Sequence, residues 1–321
     1  MTKAIRFDKT GGPEVLEFRE VELPPPGKGQ AQVKHTAIGV NFIDIYHRSG
    51  LYPLPLPAGL GSEAAGVVEV LGEGVSGLKV GDRVGYCGGA IGSYSEAANV
   101  PADRLVKLPV AISDEIAAAS LLKGMTAQYL LTRTYAVHPG QTILFHSAAG
   151  GVGMIACQWA KYLGAIVIGT VGSETKVALA KSHGCDHVLV LTEGWQKKVR
   201  EIAGGLPVVY DSIGKDTFEA SLDCLAPRGM MVSFGNSSGA VPPFPPGQLA
   251  AKGSLFLTRP TLWHYTSTPH ELQETANDLF QVIQSGAVKV AVNQRFALKD
   301  AAKAQEALAG RKTTGATVLI P

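Results

Sequence analysis

The sequence predicts an α/β protein with two parts, an all-β, barrel-like domain and a doubly wound parallel sheet. Two observations support this prediction. The first ~120 residues contain short β-like segments that are densely separated by glycine and proline. From about Gln141 onward, strand-like and helix-like segments alternate, and this alternation is typical of βαβ units in a parallel sheet.

The β-like segments of the first part are AIRFD, QAQVKHTAIGV, AAGVVEVLG, GDRVGY and DRLVKLP. The segments between them, such as LPPPGKG and GLYPLPLPAGLG, consist largely of turn-forming residues. The pattern changes near Ser113, where ISDEIAAASLLKGMTAQYLLTRTYAV continues in helix-forming residues. We therefore expect a helix at the junction of the two domains.

The second part alternates predicted strands with predicted helices. The strands are TILFHSA, AIVIGTV, DHVLVL, PVVYDSI and GMMVSFGNSS, and the helices between them are GMIACQWAKYLG, SETKVALAKSHG, a segment from about Gln196 to Ile202, and DTFEASLDCL. After SLFLTRPTL, the helix PHELQETANDLFQVIQSG, the segment VNQRFALKDAAKAQEALAG and the strand GATVLIP return to the first domain. We expect residues 1–122 and 263–321 to form the first domain and residues 123–262 to form the second.

Composition and charge exclude several classes of protein. The chain has 321 residues, with 29 basic and 27 acidic side chains and a formal net charge of +2. Nucleic-acid-binding proteins concentrate positive charge on one surface, so we expect no nucleic-acid partner. No apolar stretch reaches the roughly 18 residues that span a bilayer, so we expect no membrane segment. The start, MTKAIRFDKTGGPEV, has no hydrophobic export core, and we expect a cytoplasmic protein.

The four cysteines are scattered along the chain, at Cys87, Cys157, Cys185 and Cys224, with no CxxC pair. This spacing fits neither a disulfide framework nor a structural zinc site. We expect them to be buried or half-buried free thiols.

A glycine cluster stands between a predicted strand and a predicted helix. Dinucleotide-binding folds place Gly-x-Gly-x-x-Gly at such a turn, for the bend, for the approach of the pyrophosphate and for helix packing. Here Ala148, Gly150 and Gly153 take the three positions. The alternative is a purely structural turn. The strand before the cluster and the helix after it favour a phosphate site at Gly150, Gly151 and Val152, where the helix start presents free N–H groups.

The end of the second strand of the parallel sheet indicates which dinucleotide binds. An NAD site usually carries Asp or Glu there, about 20 residues after the glycine turn, to bind the ribose 2′-hydroxyl. This chain has Gly172 and Ser173, followed by Lys176, and Ser173 and Lys176 can bind a 2′-phosphate. We therefore expect NADPH rather than NADH. The alternative is that Ser173 only caps a helix and Lys176 only faces solvent.

The chain resembles a known family over nearly its whole length. The motifs that carry the resemblance are GGPEVLEFREVELPPPGKGQAQVKHTAIGVNFIDIYHRSGLYP, GSEAAGVVEVLGEGVSGLKVGDRV, HSAAGGVG, VVYDSIG, VSFGNSSGAV and TRPTL. They are similar to those of the zinc-independent quinone oxidoreductases, which are related to zeta-crystallin and belong to the medium-chain dehydrogenase/reductase superfamily. The resemblance implies a GroES-like β-barrel domain, a central Rossmann domain, NADPH as the cofactor, and two-fold association into a homodimer through the segment SLFLT.

The ligands that hold catalytic zinc in related dehydrogenases are missing. Those relatives have a histidine in Gly-His-Glu, whereas this chain reads Gly61-Ser62-Glu63. The segment GVNFIDIYHRSG offers Asn41 and Asp44 but no thiolate. A catalytic zinc site needs three protein ligands, so we expect no metal. We expect His35, His47 and His138 to be packing or surface residues.

Reduction of an acceptor that is already electrophilic, such as a quinone, does not need a metal. The resemblance places the segment from Asn41 to Tyr46 beside the nicotinamide, so the acceptor would be held between the nicotinamide and residues 41–52. Asn41 could donate a hydrogen bond to the acceptor oxygen, and Asp44 could orient a neighbour or move protons. Tyr46 or Tyr52 could donate a hydrogen bond or stack on the ring, or could only pack under a proline-rich loop.

The resemblance also implies further contacts with the cofactor. In addition to the glycine turn and the 2′-phosphate residues, these are Phe42, Lys123, Thr126, Tyr129, Ser212, Phe234, Gly235, Asn236, Ser237, Leu257, Thr258 and Arg311. The chain departs from the family at Leu191, where some relatives have a tyrosine near the adenosine phosphate. This departure leaves Lys176 with more of the phosphate binding.

Two other functions compete with quinone reduction. The nearest is the NADPH-dependent reduction of activated C=C bonds in enals or enones, which uses the same cofactor and no metal. From another class, some relatives of zeta-crystallin bind RNA or are structural lens proteins, but the chain has no basic and aromatic stripe that would support this function.

Overall fold

A computed structural model gives the structure of residues 1–89 and 91–321. The first strands are β1 (Thr2–Phe7), β2 (Glu17–Val21), β3 (Gln30–Val40), β4 (Ala58–Gly59), β5 (Glu63–Leu71), β6 (Arg83–Cys87), β7 (Ala97–Pro101) and β8 (Val106–Lys107). The helix α1 (Phe42–Ser49) lies between β3 and β4, and α2 (Asp114–Tyr129) follows β8.

The middle of the chain alternates strands and helices. It comprises β9 (Thr142–Phe145), α3 (Gly151–Tyr162), β10 (Ile166–Val171), α4 (Val177–Ser182), β11 (His187–Val190), α5 (Trp195–Ala203), β12 (Leu206–Asp211), α6 (Phe218–Asp223), β13 (Leu225–Ser233), α7 (Gly247–Ala251) and β14 (Phe256–Thr258). The chain ends with α8 (Leu262–Tyr265), α9 (Pro269–Gln284), β15 (Val292–Ala297), α10 (Ala301–Ala309) and β16 (Ala316–Ile320).

The chain forms two compact units. The first contains Met1–Lys123, Thr266–Gln284 and Val290–Pro321, and the second contains Gly124–Tyr265 and Ser285–Lys289. The sequence places the boundaries after residues 122 and 262, whereas this division places them after Lys123 and Tyr265 and adds Ser285–Lys289 to the second unit.

The first unit is built on β-sheet. Its larger sheet has seven strands in the order β15-β16-β3-β5-β6-β8, with β7 paired to β3, and its smaller sheet has the order β2-β1-β4. The buried apolar side chains Ile5, Phe7, Val33, Ile38 and Leu60 belong to one core cluster. Burial of such side chains is the main favourable contribution to folding. The C-terminal strands β15 and β16 belong to this sheet, so the chain returns to the first unit.

Helix α1 is a departure from the β-rich pattern of this region. The Asn41 N–H donates a hydrogen bond of 2.8 Å to Asp44 Oδ2 and so stabilises the first turn. Gly50, with φ of 84°, ends the helix in the left-handed conformation that favours glycine. Asn41 and Asp44 at one end and Gly50 at the other therefore define a short helix that brings Asn41, Asp44 and Tyr46 into one segment.

The second unit is a parallel sheet with the strand order β11-β10-β9-β12-β13-β14. The strands of each adjacent pair run parallel. This order is that of a doubly wound dinucleotide-binding fold, in which ligands bind at the carboxyl ends of the strands near the point where the order reverses. The strand order reverses between β9 and β12, so the loops after β9, β10 and β12 lie at the expected site.

No helix among the described residues is both long and apolar enough to cross a membrane. All four cysteines are buried free thiols, as the sequence predicts.

Candidate cofactor and active sites

The turn after β9 has the geometry of a phosphate cradle. Gly150 is the N-cap of α3, and the first helical hydrogen bond runs from the Met154 N–H to the Gly150 carbonyl at 2.9 Å. The N–H groups of the first helical turn therefore point out of the helix end, where they can bind an anion. A Cβ on Gly153 would lie 2.2 Å from the Ser147 carbonyl oxygen, so only glycine allows the helix to pack this closely on the turn.

The turn after β10 is open. A Cβ on Gly172 would meet no atom within 4 Å, and the half-buried Ser173 is the N-cap of a short 3-10 turn over Glu174–Lys176. The Ser173 and Thr175 hydroxyls lie 2.8 Å apart. Ser173 thus has the capping position that the sequence left as an alternative, but its side chain makes no capping hydrogen bond, and both Ser173 and Lys176 are half-buried.

Two further predicted cofactor segments are joined to each other. The Ser237 N–H donates to the Ser212 carbonyl at 3.2 Å, and the Ser238 N–H donates to the Ile213 carbonyl at 2.9 Å. A Cβ on Gly235 would lie 2.5 Å from the Ser212 carbonyl oxygen. The loop after β12 and the loop after β13 therefore form one continuous surface, to which the predicted residues Phe234 and Asn236 also belong.

Tyr129 and Thr126 lie on the part of α2 that belongs to the second unit. Tyr129 is buried, and its ring stacks on Tyr265 with 4.4 Å between the ring centroids. Burial raises the pKa of Tyr129. Thr126 is also buried, whereas Leu257 and Thr258, at the end of β14, are half-buried. The Tyr129 hydroxyl stays protonated at neutral pH and can act only as a neutral hydrogen-bonding group.

Glu63 is the centre of a polar cluster in the first unit. Its Oε2 accepts a hydrogen bond from Asn41 Nδ2 at 2.7 Å and lies 3.4 Å from Lys123 Nζ. Its Oε1 accepts the Leu122 N–H at 2.7 Å. Glu63, Asn41 and Lys123 are all buried, and Glu63 is fully so. One carboxylate thus fixes the Asn41 amide and the Lys123 ammonium, and each of these donors has further protons for a ligand oxygen.

Asp44 is a second buried carboxyl group close to this cluster. Its Oδ2 accepts the Asn41 N–H at 2.8 Å and the Tyr94 hydroxyl at 2.9 Å. Burial raises the pKa of Asp44 from 3.8 to about 7, against the opposing effect of these two hydrogen bonds and of the Lys123 charge. Asp44 is therefore a group that can hold a proton near neutral pH.

The aromatic residues of the same segment pack on one another. The rings of Tyr46 and Tyr52 meet edge to face with 5.1 Å between centroids, and the centroids of the Phe42 and Tyr46 rings are 5.8 Å apart. The Tyr52 N–H donates to the Tyr46 carbonyl at 3.1 Å. Both tyrosines are half-buried, so each ring contributes to packing and also reaches the surface.

Ser62 and the three histidines named in the sequence analysis differ in burial. Ser62 is fully buried beside Glu63. His35 is buried and bonded to the Ser95 carbonyl at 2.7 Å, His47 is buried, and His138 is exposed. Within the described ranges, no group of three or more His, Cys, Asp or Glu side chains is arranged to hold a metal ion.

Comparison with known proteins assigns this combination of domains to a family. A family model described as an alcohol dehydrogenase GroES-like domain matches residues 27–110, and one described as a zinc-binding dehydrogenase matches residues 151–280. Quinone oxidoreductases from Pseudomonas aeruginosa and Salmonella typhimurium are 54% and 55% identical to the chain, and each alignment covers 100% of both proteins. The chain belongs to the quinone oxidoreductase family.

A solved member of the quinone oxidoreductase family has the same fold. The structure of Escherichia coli quinone oxidoreductase complexed with NADPH matches with a TM-score of 0.98 and 53% identity, covering 99% of this chain and 100% of that chain. These matches confirm the predicted fold class, a GroES-like domain with a Rossmann-like parallel sheet.

Within this family fold, the structure brings several predicted residues of the first unit together. Asn41, Asp44, Tyr46 and Tyr52 lie in or directly beside α1, and Lys123 joins Asn41 through Glu63. Arg311 follows α10 in the first unit, with a positive φ of 57°.

Several buried polar residues were missed by the sequence reasoning. They are Glu63 and Tyr94 in the first unit and His146, Asp211 and Ser221 in the second. A signal was present for three of them, because a charged residue or a histidine stands directly beside an apolar strand in GSEAAG, ILFHS and VVYDS. Such residues are rarely buried without a partner, so their burial would have pointed to a polar network.

Proposed function

We propose that this chain is a quinone reductase that uses NADPH and no metal. The observation that carries the proposal is the identity of 54–55% over the full length with proteins named quinone oxidoreductase. The E. coli relative is solved in complex with NADPH, which supports the same cofactor here. When bound, NADPH supplies the hydride for the acceptor.

The glycine turn fits the pyrophosphate of this cofactor. Gly150 and Gly151 leave the start of α3 without side chains, and the N–H groups and the positive end of the helix dipole face the anion. The loops that carry Ser212 and residues 234–237 follow β12 and β13, at the same edge of the parallel sheet. We propose that these residues, together with Thr126, Tyr129, Leu257 and Thr258, bind the nicotinamide half of NADPH.

The turn after β10 supports NADPH over NADH. The open space at Gly172, the Ser173 hydroxyl and the Lys176 ammonium can accept a 2′-phosphate, and no carboxylate stands at the position where an NAD site carries one. Glu174 is the one nearby acid in the sequence, and it is exposed. Lys176 is the residue on which the discrimination depends.

Residues of the first unit would bind the acceptor and the charge that forms on it. The Asn41 amide donates one proton to Glu63 and has a second that can be donated to a quinone oxygen. Tyr46 and Tyr52 offer a phenolic hydrogen bond or a ring face to the quinone. Asp44, with its raised pKa, holds a proton close to Asn41, and its hydrogen bond to the Asn41 N–H orients Asn41. The contacts of Phe42, Lys123 and Arg311 with NADPH stay predictions.

Independence from zinc is supported by what surrounds Ser62. A serine stands where zinc-dependent relatives have an imidazole, and Glu63 beside it is engaged by Asn41, Leu122 and Lys123. A buried ammonium 3.4 Å from the carboxylate provides positive charge without a metal. Purified protein should therefore reduce quinones equally well after dialysis against a chelator.

We also propose a cytoplasmic homodimer. The four buried free thiols fit a reducing compartment. Strand β14 is at the edge of its sheet and exposes Phe256, so a second copy could extend the sheet across a two-fold axis. A monomer mass by light scattering at micromolar concentration would contradict the dimer.

The preference for NADPH over NADH, and its dependence on Lys176, tests the proposed function. Oxidation of NADPH and of NADH would be followed by nicotinamide absorbance with 1,2-naphthoquinone as the acceptor, for the native protein and for Lys176→Ala. Lys181→Ala, an exposed lysine on α4, is the matched control. We expect the native protein and the control to prefer NADPH, and Lys176→Ala to lose that preference. Equal preference in all three proteins would contradict the assignment of the 2′-phosphate site.

A further inference from the structure

A buried chain of hydrogen bonds crosses the carboxyl ends of three adjacent strands in the second unit. Thr170 Oγ1 lies 2.8 Å from His146 Nδ1, and His146 Nε2 lies 2.9 Å from Ser221 Oγ. Ser221 Oγ donates to Asp211 Oδ2 at 3.0 Å. Thr170 lies on β10, His146 directly follows β9, Asp211 ends β12 and Ser221 lies on α6. All four side chains are fully buried.

The four side chains can donate and accept these hydrogen bonds in only one consistent arrangement. Asp211 Oδ2 is an acceptor, so Ser221 uses its single proton on Asp211 and must accept from His146 Nε2–H. His146 Nδ1 then carries no proton and accepts the Thr170 hydroxyl proton. Burial lowers the pKa of His146, which agrees with a neutral ring. His146 is therefore the Nε2–H tautomer, fixed from both sides.

The chain of bonds ends on backbone groups of the predicted cofactor loops. Asp211 Oδ1 accepts the N–H groups of Ile213 and Gly214 at 2.7 and 3.0 Å, which shapes the loop that begins with Ser212. The Thr170 carbonyl accepts the Ala148 N–H at 2.9 Å, at the start of the glycine turn. Thr170 also precedes the turn after β10, which begins with Gly172, by only two residues.

Three loops thus share one buried network. The loop after β9 would hold the pyrophosphate, the loop after β10 the 2′-phosphate, and the loop after β12 the nicotinamide half of the cofactor. In a purely structural network, the polar groups would only satisfy one another. Here Thr170, His146 and Asp211 lie at the ends of β10, β9 and β12, beside the three loops, and Ser221 on α6 links His146 to Asp211. Loss of one bond therefore changes the relative positions of the loops.

We propose that His146, Ser221, Asp211 and Thr170 form a positioning network that sets the three cofactor loops for NADPH. This inference rests on the proposed function. None of the four side chains is exposed, so they act through the loops and not by touching the cofactor.

The first test compares variants that remove one bond with variants that remove a similar bond elsewhere. Thr170→Val removes the hydroxyl that donates to His146, whereas Thr170→Ser keeps a hydroxyl at this position. Thr275→Val is the matched control, because Thr275 is a fully buried threonine whose hydroxyl donates to the Glu271 carbonyl on α9. Ser221→Ala is compared with Ser120→Ala, a fully buried serine that donates to the Ile116 carbonyl on α2.

The dissociation constant for NADPH is measured for each protein at a temperature well below its unfolding midpoint. We expect Thr170→Val and Ser221→Ala to raise it by roughly five- to ten-fold, since a neutral hydrogen bond contributes to that extent. Thr170→Ser and the two controls should stay within about two-fold of the native protein. The KM for the quinone should be unchanged, because all four residues of the network belong to the second unit, whereas the residues proposed to bind the quinone belong to the first. Values for Thr170→Val and Ser221→Ala that equal those of their controls would overturn the proposal.

A second test needs no variant. Long-range ¹H–¹⁵N spectra of labelled native protein show which ring nitrogen of His146 carries the proton. We expect the Nε2–H tautomer, and a proton on Nδ1 would overturn the network. If the native protein does not bind NADPH at all, the proposed function fails, whereas the tautomer result still decides the direction of the hydrogen bonds.

Discussion

Replacement of Asp44 by asparagine should remove a specific part of the pH dependence of stability. Asp44 is fully buried, and its Oδ2 accepts hydrogen bonds from the Asn41 N–H and the Tyr94 hydroxyl. Its Oδ1 has no hydrogen-bond partner in the part of the chain that the structure describes. The amide introduced by Asp44→Asn would keep an acceptor oxygen for both donors and would not titrate, so the variant resembles the protonated form of the native side chain.

The size of the effect follows from the pKa of Asp44. Burial raises this pKa from 3.8 to about 7, so the folded state binds more protons than the unfolded state between these two values. The free energy of unfolding therefore falls as the pH rises through this window, and the fall is complete about one unit above the pKa of the folded state. At about 1.36 kcal/mol per pKa unit the whole effect is about 4 kcal/mol, of which about 3 kcal/mol lies between about pH 5 and pH 8.

Urea unfolding at pH 5 and pH 8, followed by circular dichroism, measures this effect. The difference in unfolding free energy between Asp44→Asn and the native protein should shift in favour of the variant by about 3 kcal/mol at pH 8 relative to pH 5. Asp103→Asn, at an exposed site, should follow the native protein at both pH values. A pH dependence of Asp44→Asn equal to that of the native protein would refute the reasoning.

Two further substitutions test the contacts that build the sites. Glu63→Gln leaves the buried Lys123 ammonium without its carboxylate and should lower the unfolding free energy by about 3 kcal/mol, which a thermal melt of this 321-residue chain would show as a fall of about 4–5 °C. The control is Glu69→Gln, because Glu69 forms an exposed ion pair with Lys34, and it should change the unfolding free energy by less than about 1 kcal/mol. Equal melting temperatures of the two variants would count against the Glu63 cluster. Gly153→Ala places a Cβ 2.2 Å from a backbone oxygen of the preceding turn, so NADPH binding should be lost or weakened at least about ten-fold, as titration would show. Gly247→Ala, where a Cβ meets nothing within 4 Å, should bind normally, and equal affinity of the two variants would contradict the close packing of α3.

Local patterns in the sequence predicted the fold of the second unit well. The alternation of strands and helices from Gln141 onward gives the parallel sheet, and the glycine turn at 148–153 lies at the start of α3 as predicted. These features depend on short-range physics, namely strand and helix periodicity and the steric needs of one turn. The same reasoning missed α1, because its eight residues lie between β-rich segments, although the capping pair Asn41 and Asp44 is a local signal for a helix start.

The polar networks could not be derived from the sequence because they depend on contacts between distant residues. Glu63 meets Asn41 and Lys123 across 22 and 60 residues. His146 meets Ser221 across 75 residues. Such contacts are set by how strands and helices that are distant in the sequence pack together, and a shift of one residue in the register of β5 would turn Glu63 to the opposite face of its sheet.

The central claim is that the chain reduces quinones with NADPH and without a metal. The most direct measurement follows NADPH absorbance with 1,4-benzoquinone, using protein dialysed against a chelator with its metal content determined, and an enone as the comparison acceptor. We predict rapid, quinone-dependent loss of NADPH at a rate that the chelator does not change and that exceeds the rate with the enone. NADPH binding without quinone-dependent oxidation, or activity that returns only when zinc is added, would contradict the account.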